Sequence, residues 1–266
     1  MQITSRDNSL LRQARQVRDG KVQDLIFVEG LRLCEEALRS NLTIEAVIYS
    51  VELANKERAA VAIDELTKAS RRAGSVSEKL LESISYTKTP QGIVLLAQRP
   101  SSGMERLNEV AGDQALFVVL HQLNNPVNVG AIVRTAEAAG VNGLIATRHT
   151  SDPFSPKSLR GAMGSAFRLP IWSDAEYSEV IEWCRTRHIN TVCSSVSAES
   201  SYTALDWTKG TALVLGPEST GLTDGETAAA NQTVKIPMHG DVESLNVSVA
   251  AGILLFEAAR QRDFTS

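Results

Sequence analysis

Short apolar runs alternate with amphipathic stretches along the chain, and the alternation lapses once, near residue 100. Ahead of the lapse, residues 7–19 put Leu10, Leu11, Ala14 and Val17 on one side of a helix that begins near Asp7 or Asn8. Leu25–Val28 is short and apolar, and Gly30 breaks it before a helical stretch to about Arg39. Glu45–Tyr49 reads as a strand, and residues 53–72, rich in Ala, Glu and Lys, read as a helix. A weaker helix covers Glu78–Ile84, and Gly92–Ala97 is another buried strand. This alternation predicts a small α/β domain over residues 1–98. Turn-forming Arg99-Pro-Ser-Ser-Gly103 and the apolar-poor Met104–Asp113 predict a linker over residues 99–113.

The second domain, residues 114–266, opens with Ala115–Leu120, an uninterrupted apolar run suited to a strand covered on both faces. Ala131–Ala139 predicts a helix closed by Gly140. Gly143–Thr147 is the next strand, and Pro156–Gly161 begins a helix that leads into Gly164–Arg168 and Leu169–Trp172. Asp174–Thr186 reads as helical, while Thr191–Cys193, Ala212–Leu215 and Val234–Met238 read as strands. The pattern predicts an α/β domain with a mostly parallel sheet flanked by helices. A Pro/Gly loop after residue 236 leads into a last, strongly apolar helix, with Ser244 at the turn where a hydroxyl can cap free backbone donors.

Composition narrows the class. At 43% hydrophobic and 22% charged residues, 266 residues can build one large or two modest cores, which excludes a disordered chain. No apolar run approaches the roughly 18 residues of a membrane helix. The N-terminus is charged from Arg6 onward and lacks an apolar signal region, so a cytoplasmic protein is expected. Cys34, Cys184 and Cys193 form no CxxC pair and the four histidines are scattered, which predicts reduced thiols and no metal site.

The net charge of −4 argues against a nucleic-acid partner until its distribution is considered. Residues 1–100 carry 15 Lys/Arg against 13 Asp/Glu, and the remainder carries 12 against 18. The first 21 residues hold Arg6, Arg12, Arg15, Arg18 and Lys21 against Asp7 and Asp19. A local basic face of that kind suffices for phosphates, although a solvated amphipathic helix has the same pattern.

Three stretches place small and polar residues directly after apolar runs: Asn125-Pro-Val-Asn-Val-Gly-Ala-Ile-Val-Arg134, Leu215-Gly-Pro-Glu-Ser-Thr-Gly221 and Ser244-Leu-Asn-Val-Ser-Val-Ala250. A parallel sheet puts its site beyond the carboxyl ends of its strands, so loops at 121–130, 216–221 and 237–246 can converge there. Neither GxGxxG nor GxxxxGK[ST] follows the first strand, and Glu218 stands where a dinucleotide loop needs glycine. On the residues alone, 216–221 reads first as a turn with a helix-capping Glu, and Arg134 first as an exposed helix arginine paired with Glu137.

In this order the three stretches resemble the three motifs of the SpoU (TrmH-type) RNA ribose methyltransferases of the SPOUT class, over about residues 115–262. The resemblance implies a deep trefoil knot in the C-terminal domain, against the general rule that chains do not thread loops. It implies an N-terminal RNA-reading domain similar to a small ribosomal-protein fold. It also implies S-adenosylmethionine bound in a bent shape, with main-chain contacts from Gly216, Ile236 and Leu245. Arg134 matches the family's catalytic arginine, as a base if strongly perturbed and otherwise as a stabiliser of the forming alkoxide; the second suits a group that is normally protonated. Asn128 matches the motif asparagine that orients either Arg134 or the target ribose, and Glu218, Ser244 and Asn246 match the remaining polar positions. Arg168, in Gly161-Ala-Met-Gly-Ser-Ala-Phe-Arg168, matches a recurrent segment expected to meet RNA phosphate, and joins Arg12, Arg15 and Arg18 as an RNA-binding candidate. Asn125 and His121 depart from the family, where acidic residues are common.

The expected activity is therefore S-adenosylmethionine-dependent ribose 2′-O-methylation of RNA, ribosomal RNA in the first place. A tRNA substrate, or a non-catalytic RNA-binding or ribosome-assembly role, is the alternative. A homodimer through the C-terminal domain is also expected. The last helix carries Val249, Ile253 and Phe256 on one side and Ala250, Leu254 and Ala258 near another, a broader apolar stripe than one sheet contact needs.

Overall fold

The computed structural model describes residues 1–262. It groups into two compact units, residues 1–100 with 154–168, and residues 101–153 with 169 onward.

In the first unit, α1 (Ser9–Arg18) starts where the Asn8 side chain accepts the Leu10 N–H at 2.9 Å, and it buries Leu10, Leu11, Ala14 and Val17 as the periodicity predicts. β1 (Leu25–Glu29), α2 (Leu31–Arg39) and β2 (Ile44–Ser50) follow. The helix expected over 53–72 is instead two, α3 (Val51–Ala54) and α4 (Glu57–Ala69), and it gives way to a strand, β3 (Arg72–Val76). Gly74 disguises that strand, which lacks a side chain there; a Cβ would sit 2.5 Å from Ile3 Cδ1 and the end of Ile3 would have to shift. α5 (Glu78–Glu82) and β4 (Ile93–Gln98) complete a sheet of order β1-β4-β2-β3, with β2 and β3 parallel and the other pairs antiparallel. Its core gathers α1 against Phe27, Ala46, Ile48, Val94 and Leu96.

The second unit begins with α6 (Met104–Asn108), inside the expected linker, then β5 (Leu116–Leu120) and α7 (Pro126–Ala138). α7 begins five residues before the sequence reading put it: the Asn125 side chain accepts the Val127 N–H at 3.0 Å and Pro126 takes the first helical position, where its missing N–H costs nothing. β6 (Gly143–Thr147) follows. α8 (Pro156–Ala162) and α9 (Ser165–Arg168) come next in sequence but group with the first unit. β7 (Ile171–Ala175) takes Asp174 and Ala175 from the predicted helix, which becomes α10 (Tyr177–Thr186). β8 (Asn190–Ser194), β9 (Thr211–Leu215), α11 (Asp224–Ala229), β10 (Gln232–Val234) and α12 (Val247–Gln261) close the chain, so the last strand ends earlier than Met238.

Six parallel strands in the order β10-β8-β9-β5-β6-β7 form the sheet, with β5 and β9 at its centre and buried throughout. Helices flank it, so the predicted α/β class holds. Phe117 meets Trp183 edge to face at 5.1 Å beneath α10. α12 packs along α7, burying Ala251, Leu254, Leu255, Ala258 and Ala259. Among the described residues no helix is long and apolar enough to cross a membrane, and no cluster of three His, Cys, Asp or Glu suits a metal. The three cysteines are free and buried. Burial pushes the Cys184 thiol up to about 12 and the Cys193 thiol to about 11, so neither is a nucleophile at neutral pH.

Candidate active site

The carboxyl ends of the two central strands are where a parallel sheet offers a crevice. Leu120 of β5 pairs with Leu215 of β9, so the segments that leave them, residues 121–128 and 216–226, start side by side. The first runs into α7, whose first turn carries Asn128, only 6% exposed. Asn128 Nδ2 donates to Glu218 Oε1 at 2.6 Å, and Asn128 Oδ1 accepts from Asn246 Nδ2 at 3.3 Å. Asn246 caps α12, its Oδ1 accepting the Ser248 N–H at 2.9 Å and the Ser248 hydroxyl at 2.6 Å. A carboxylate only accepts, so the sense of every bond is set: donors run from Ser248 through Asn246 and Asn128 to Glu218. Three of the sequence-predicted residues, one from each motif, are thus in contact.

The others do not join them in one chain. Arg134 lies six residues beyond Asn128, and at about 100° per residue it faces about 120° away. It is exposed and shares its side of α7 with Val127, which is 47% exposed, and among the described residues it makes no ion pair. Ser244 and Leu245 are exposed in the segment before α12, Gly216 follows β9 directly, and Ile236 is half-buried two residues after β10. Gly216 is needed for the loop itself, because a Cβ there would sit 2.8 Å from Leu222 Cγ and 3.0 Å from Leu222 N.

The donor set suits a ligand recognised by main-chain groups. Among the described residues, none of 236–245 makes a hydrogen bond within the chain, which leaves its main-chain N–H and C=O groups available to a ligand in the segment that leads to Asn246. A planar base edge is read by such groups, and the apolar side chains of Ile236, Met238 and Leu245 can cover its faces. The residues present therefore fit S-adenosylmethionine.

A second cluster lies at the same end of the sheet, and sequence reasoning took from it only that His121 is unusual. His121 is buried, with Nε2 2.9 Å from Glu226 Oε1 and Nδ1 3.0 Å from Thr147 Oγ1. Tyr177 meets its ring at a tilt of 48°, with centroids 4.5 Å apart, and donates its hydroxyl to the Glu226 carbonyl at 3.0 Å. Burial alone would raise the Glu226 carboxyl, but hydrogen bonds from the Thr223 backbone and from His121 outweigh it and hold the group below the ordinary range. Thr223-Asp-Gly-Glu226, a capping-box spacing, was the available signal.

The RNA candidates lie in the first unit. Arg12 is exposed. Arg15 donates from Nη2 to the Arg6 carbonyl at 2.9 Å while its Nη1 is buried without a partner, and Arg18 is tied to Asp19 at 2.8 Å and to the Ser85 carbonyl at 3.2 Å. Arg168, on α9, pairs with Glu36 at 2.7 Å. Arg12 and Arg168 are exposed to solvent, whereas Arg15 and Arg18 are half-buried.

Residues 115–256 match the SpoU rRNA Methylase family, and residues 10–95 match an MRM3-like substrate binding domain. The chain is similar to an uncharacterized tRNA/rRNA methyltransferase of Synechocystis, 31% identical over 98% of this chain and 94% of that protein. It is similar to the 23S rRNA (guanosine-2'-O-)-methyltransferase RlmB of Bordetella pertussis, 31% identical over 81% of this chain and 89% of that one. Its fold matches the crystal structure of an AdoMet-bound rRNA methyltransferase from Sinorhizobium meliloti with a TM-score of 0.84, at 29% identity, over 98% and 97% of the two chains.

Proposed function

The chain belongs to the SpoU rRNA Methylase family, and on that premise we propose that it transfers a methyl group from S-adenosylmethionine to a ribose 2′-hydroxyl of RNA, with ribosomal RNA as the substrate class. The observation that carries this reading is the Asn246–Asn128–Glu218 chain, which fastens the three motif segments at the carboxyl ends of β5 and β9. Bound S-adenosylmethionine supplies an electrophilic methyl together with its own leaving group. Gly216, Ile236 and Leu245 would hold it through their main chains. The protein's share is then alignment and charge: Asn128 fixes Glu218, and Arg134, normally protonated, orients the ribose and stabilises the oxyanion as its proton passes to solvent water. Asn246 sets the entry to α12 beside these groups, and Ser244, exposed two residues ahead of it, is the remaining polar motif residue.

The direction of Arg134 favours a site built by two chains. It lies on the same side of α7 as exposed Val127, and α12 exposes Val249 (51%) and Phe256 (47%), seven residues apart on one stripe. Two-fold pairing of these faces would cover the apolar residues and present Arg134 of one chain to Asn128 and Glu218 of its partner. Residues 1–98 supply the RNA-reading surface, with Arg12, Arg15 and Arg18 as its cations, and Arg168 joins them from the segment 154–168 of the same unit. The family's trefoil is compatible with the course of the chain, which runs out to β10 at the sheet edge and returns through 235–246 to α12 on α7. A ribosomal substrate implies action in the cytoplasm.

Incubation with methyl-labelled S-adenosylmethionine and unmodified ribosomal RNA, followed by alkaline hydrolysis, tests the reading. Label should appear as one alkali-resistant dinucleotide step, the mark of a 2′-O-methyl ribose. Label on a base, or acceptance by tRNA with none by ribosomal RNA, would overturn it.

A further inference from the structure

Residues 121–128 and 216–226 are tied twice, and in reverse order: Asn128 to Glu218 at one end, His121 to Glu226 at the other. Glu226 is held on every side. Its Oε2 accepts the Thr223 N–H at 2.8 Å, its own N–H donates to the Thr223 hydroxyl at 3.2 Å, and its carbonyl accepts from Tyr177. Leu222, next to Thr223, packs against Gly216 and into the main core. The segment that carries Glu218 is therefore anchored by β9 at its start and by the His121–Glu226 pair at its end, and the exposed turn between them reaches the site through Glu218. His121 itself is fixed by the hydroxyl of Thr147 at the end of β6. Facing a carboxylate, Nε2 carries the proton and donates it, which leaves Nδ1 to accept from Thr147 in the neutral ring.

We propose that His121 is a positioning residue for methyl transfer: through Glu226 it sets where residues 216–223 lie, and so where Glu218 meets Asn128. The inference rests on the activity proposed above. The His121 side chain bonds to Thr147 and Glu226 and not to Glu218 or Asn128, so its part is to keep the Glu218 loop from drifting, and a shift of about 1 Å in a reacting geometry lowers turnover as much as 100-fold. RNA affinity is set elsewhere and is not expected to follow. The chemistry also separates two carboxylate variants. Glu226→Gln can keep the tie, its amide oxygen accepting from Thr223 while its NH₂ donates to Nε2, with the ring proton moved to Nδ1 and given to Thr147. Glu226→Ala has no such route.

The test compares His121→Leu, His121→Gln and both Glu226 variants in the full chain, by kcat, RNA KM, thermal midpoint and amide hydrogen exchange over 216–223. His121→Leu and Glu226→Ala should lower kcat by about tenfold or more with RNA KM within about twofold, and residues 216–223 should exchange faster. His121→Gln, which still presents an N–H toward Glu226, and Glu226→Gln should recover most of kcat and of the protection. Unchanged exchange over 216–223 in His121→Leu overturns the inference whether or not the protein methylates RNA. So does faster exchange with normal kcat, or a loss that tracks the thermal midpoint and is no better in His121→Gln. A wild-type chain that methylates no ribose, while the exchange pattern holds, refutes the proposed activity and leaves the tie as a loop anchor without that reaction.

Discussion

Asn246 and Asn128, 118 residues apart in sequence, share a 3.3 Å hydrogen bond from Nδ2 of the first to Oδ1 of the second. The bond joins the cap of α12 to the first turn of α7, and Asn128 passes the same sense of donation on to Glu218. An amide at position 128 meets both demands because it both donates and accepts.

Asn128→Asp removes the donor and sets two carboxylates within hydrogen-bond reach of each other. Turnover should fall by about 100-fold or more, since alignment supplies much of the acceleration, with cofactor affinity changed far less. Single-turnover methylation against cofactor titration reads the two separately, and normal turnover in this variant would remove Asn128 from the mechanism.

Much of the fold was legible because its signals are local. The buried side of α1 follows from Leu10, Leu11, Ala14 and Val17, and β5 from an unbroken apolar run. The start of α7 was misread because Asn125-Pro-Val-Asn-Val-Gly130 has the composition of a loop, although an Asn cap followed by Pro is itself a helix-start signal. β3 was hidden by Gly74, which is there for Ile3, and that contact is invisible to periodicity. At the site, the motif residues were named by resemblance, but the pairing of 128 with 218 and 246 depends on strand order. The turning of Arg15 and Arg18 onto backbone carbonyls likewise depends on what the fold brings near them.

Gly216→Ala should disturb the site from within the loop. The added methyl meets a flexible side chain, Leu222 Cγ at 2.8 Å, and a fixed backbone nitrogen at 3.0 Å. Shortening the side chain with Leu222→Ala should therefore restore activity only in part. Full recovery in the double variant would place the conflict in the side chain alone.

Glu257 gives the chain an acid-sensitive point at the end of α12. Bonds from Arg260, then from Gln261, hold its carboxyl down at about 2, and Gln261 in turn caps the Trp207 N–H at 2.9 Å. A depressed folded pKa stabilises fully above the ordinary value of 4.5 and is lost as pH falls toward 2. The thermal midpoint of the wild type should drop across that window more than that of Glu257→Gln. Parallel curves would show that the group carries no linkage.

RNA affinity should fall steeply with salt if arginines of the first unit meet phosphate. Arg12→Ala should reduce the slope of log affinity against log salt by about one and weaken all RNA sequences alike. Arg15→Ala, whose guanidinium holds the Arg6 carbonyl, should lower stability as well. Point substitution is the suitable test, because residues 154–168 group with the first unit and a simple N-terminal deletion would strip them of their partners. An unchanged slope in Arg12→Ala would take this residue out of the RNA surface.

Arg134 and Asn128 point to different sides of α7, and a pair of inactive chains can decide what that means. Arg134→Ala and Asn128→Asp should each be nearly inactive alone. If Arg134 of one chain serves Asn128 of its partner, a mixed dimer holds one complete site and one doubly damaged site. Random exchange in an equal mixture makes half the dimers mixed, so about a quarter of wild-type activity should return. Val249→Glu, which sets a charge on the exposed stripe of α12, should abolish that recovery and convert the protein to a species near the chain mass of 28.8 kDa. Recovery requires both exchange and a shared site. A mixture that exchanges subunits, as shown by a tagged chain capturing an untagged one, yet gains no activity would locate Arg134 and Asn128 in the same chain's site and refute the two-chain arrangement.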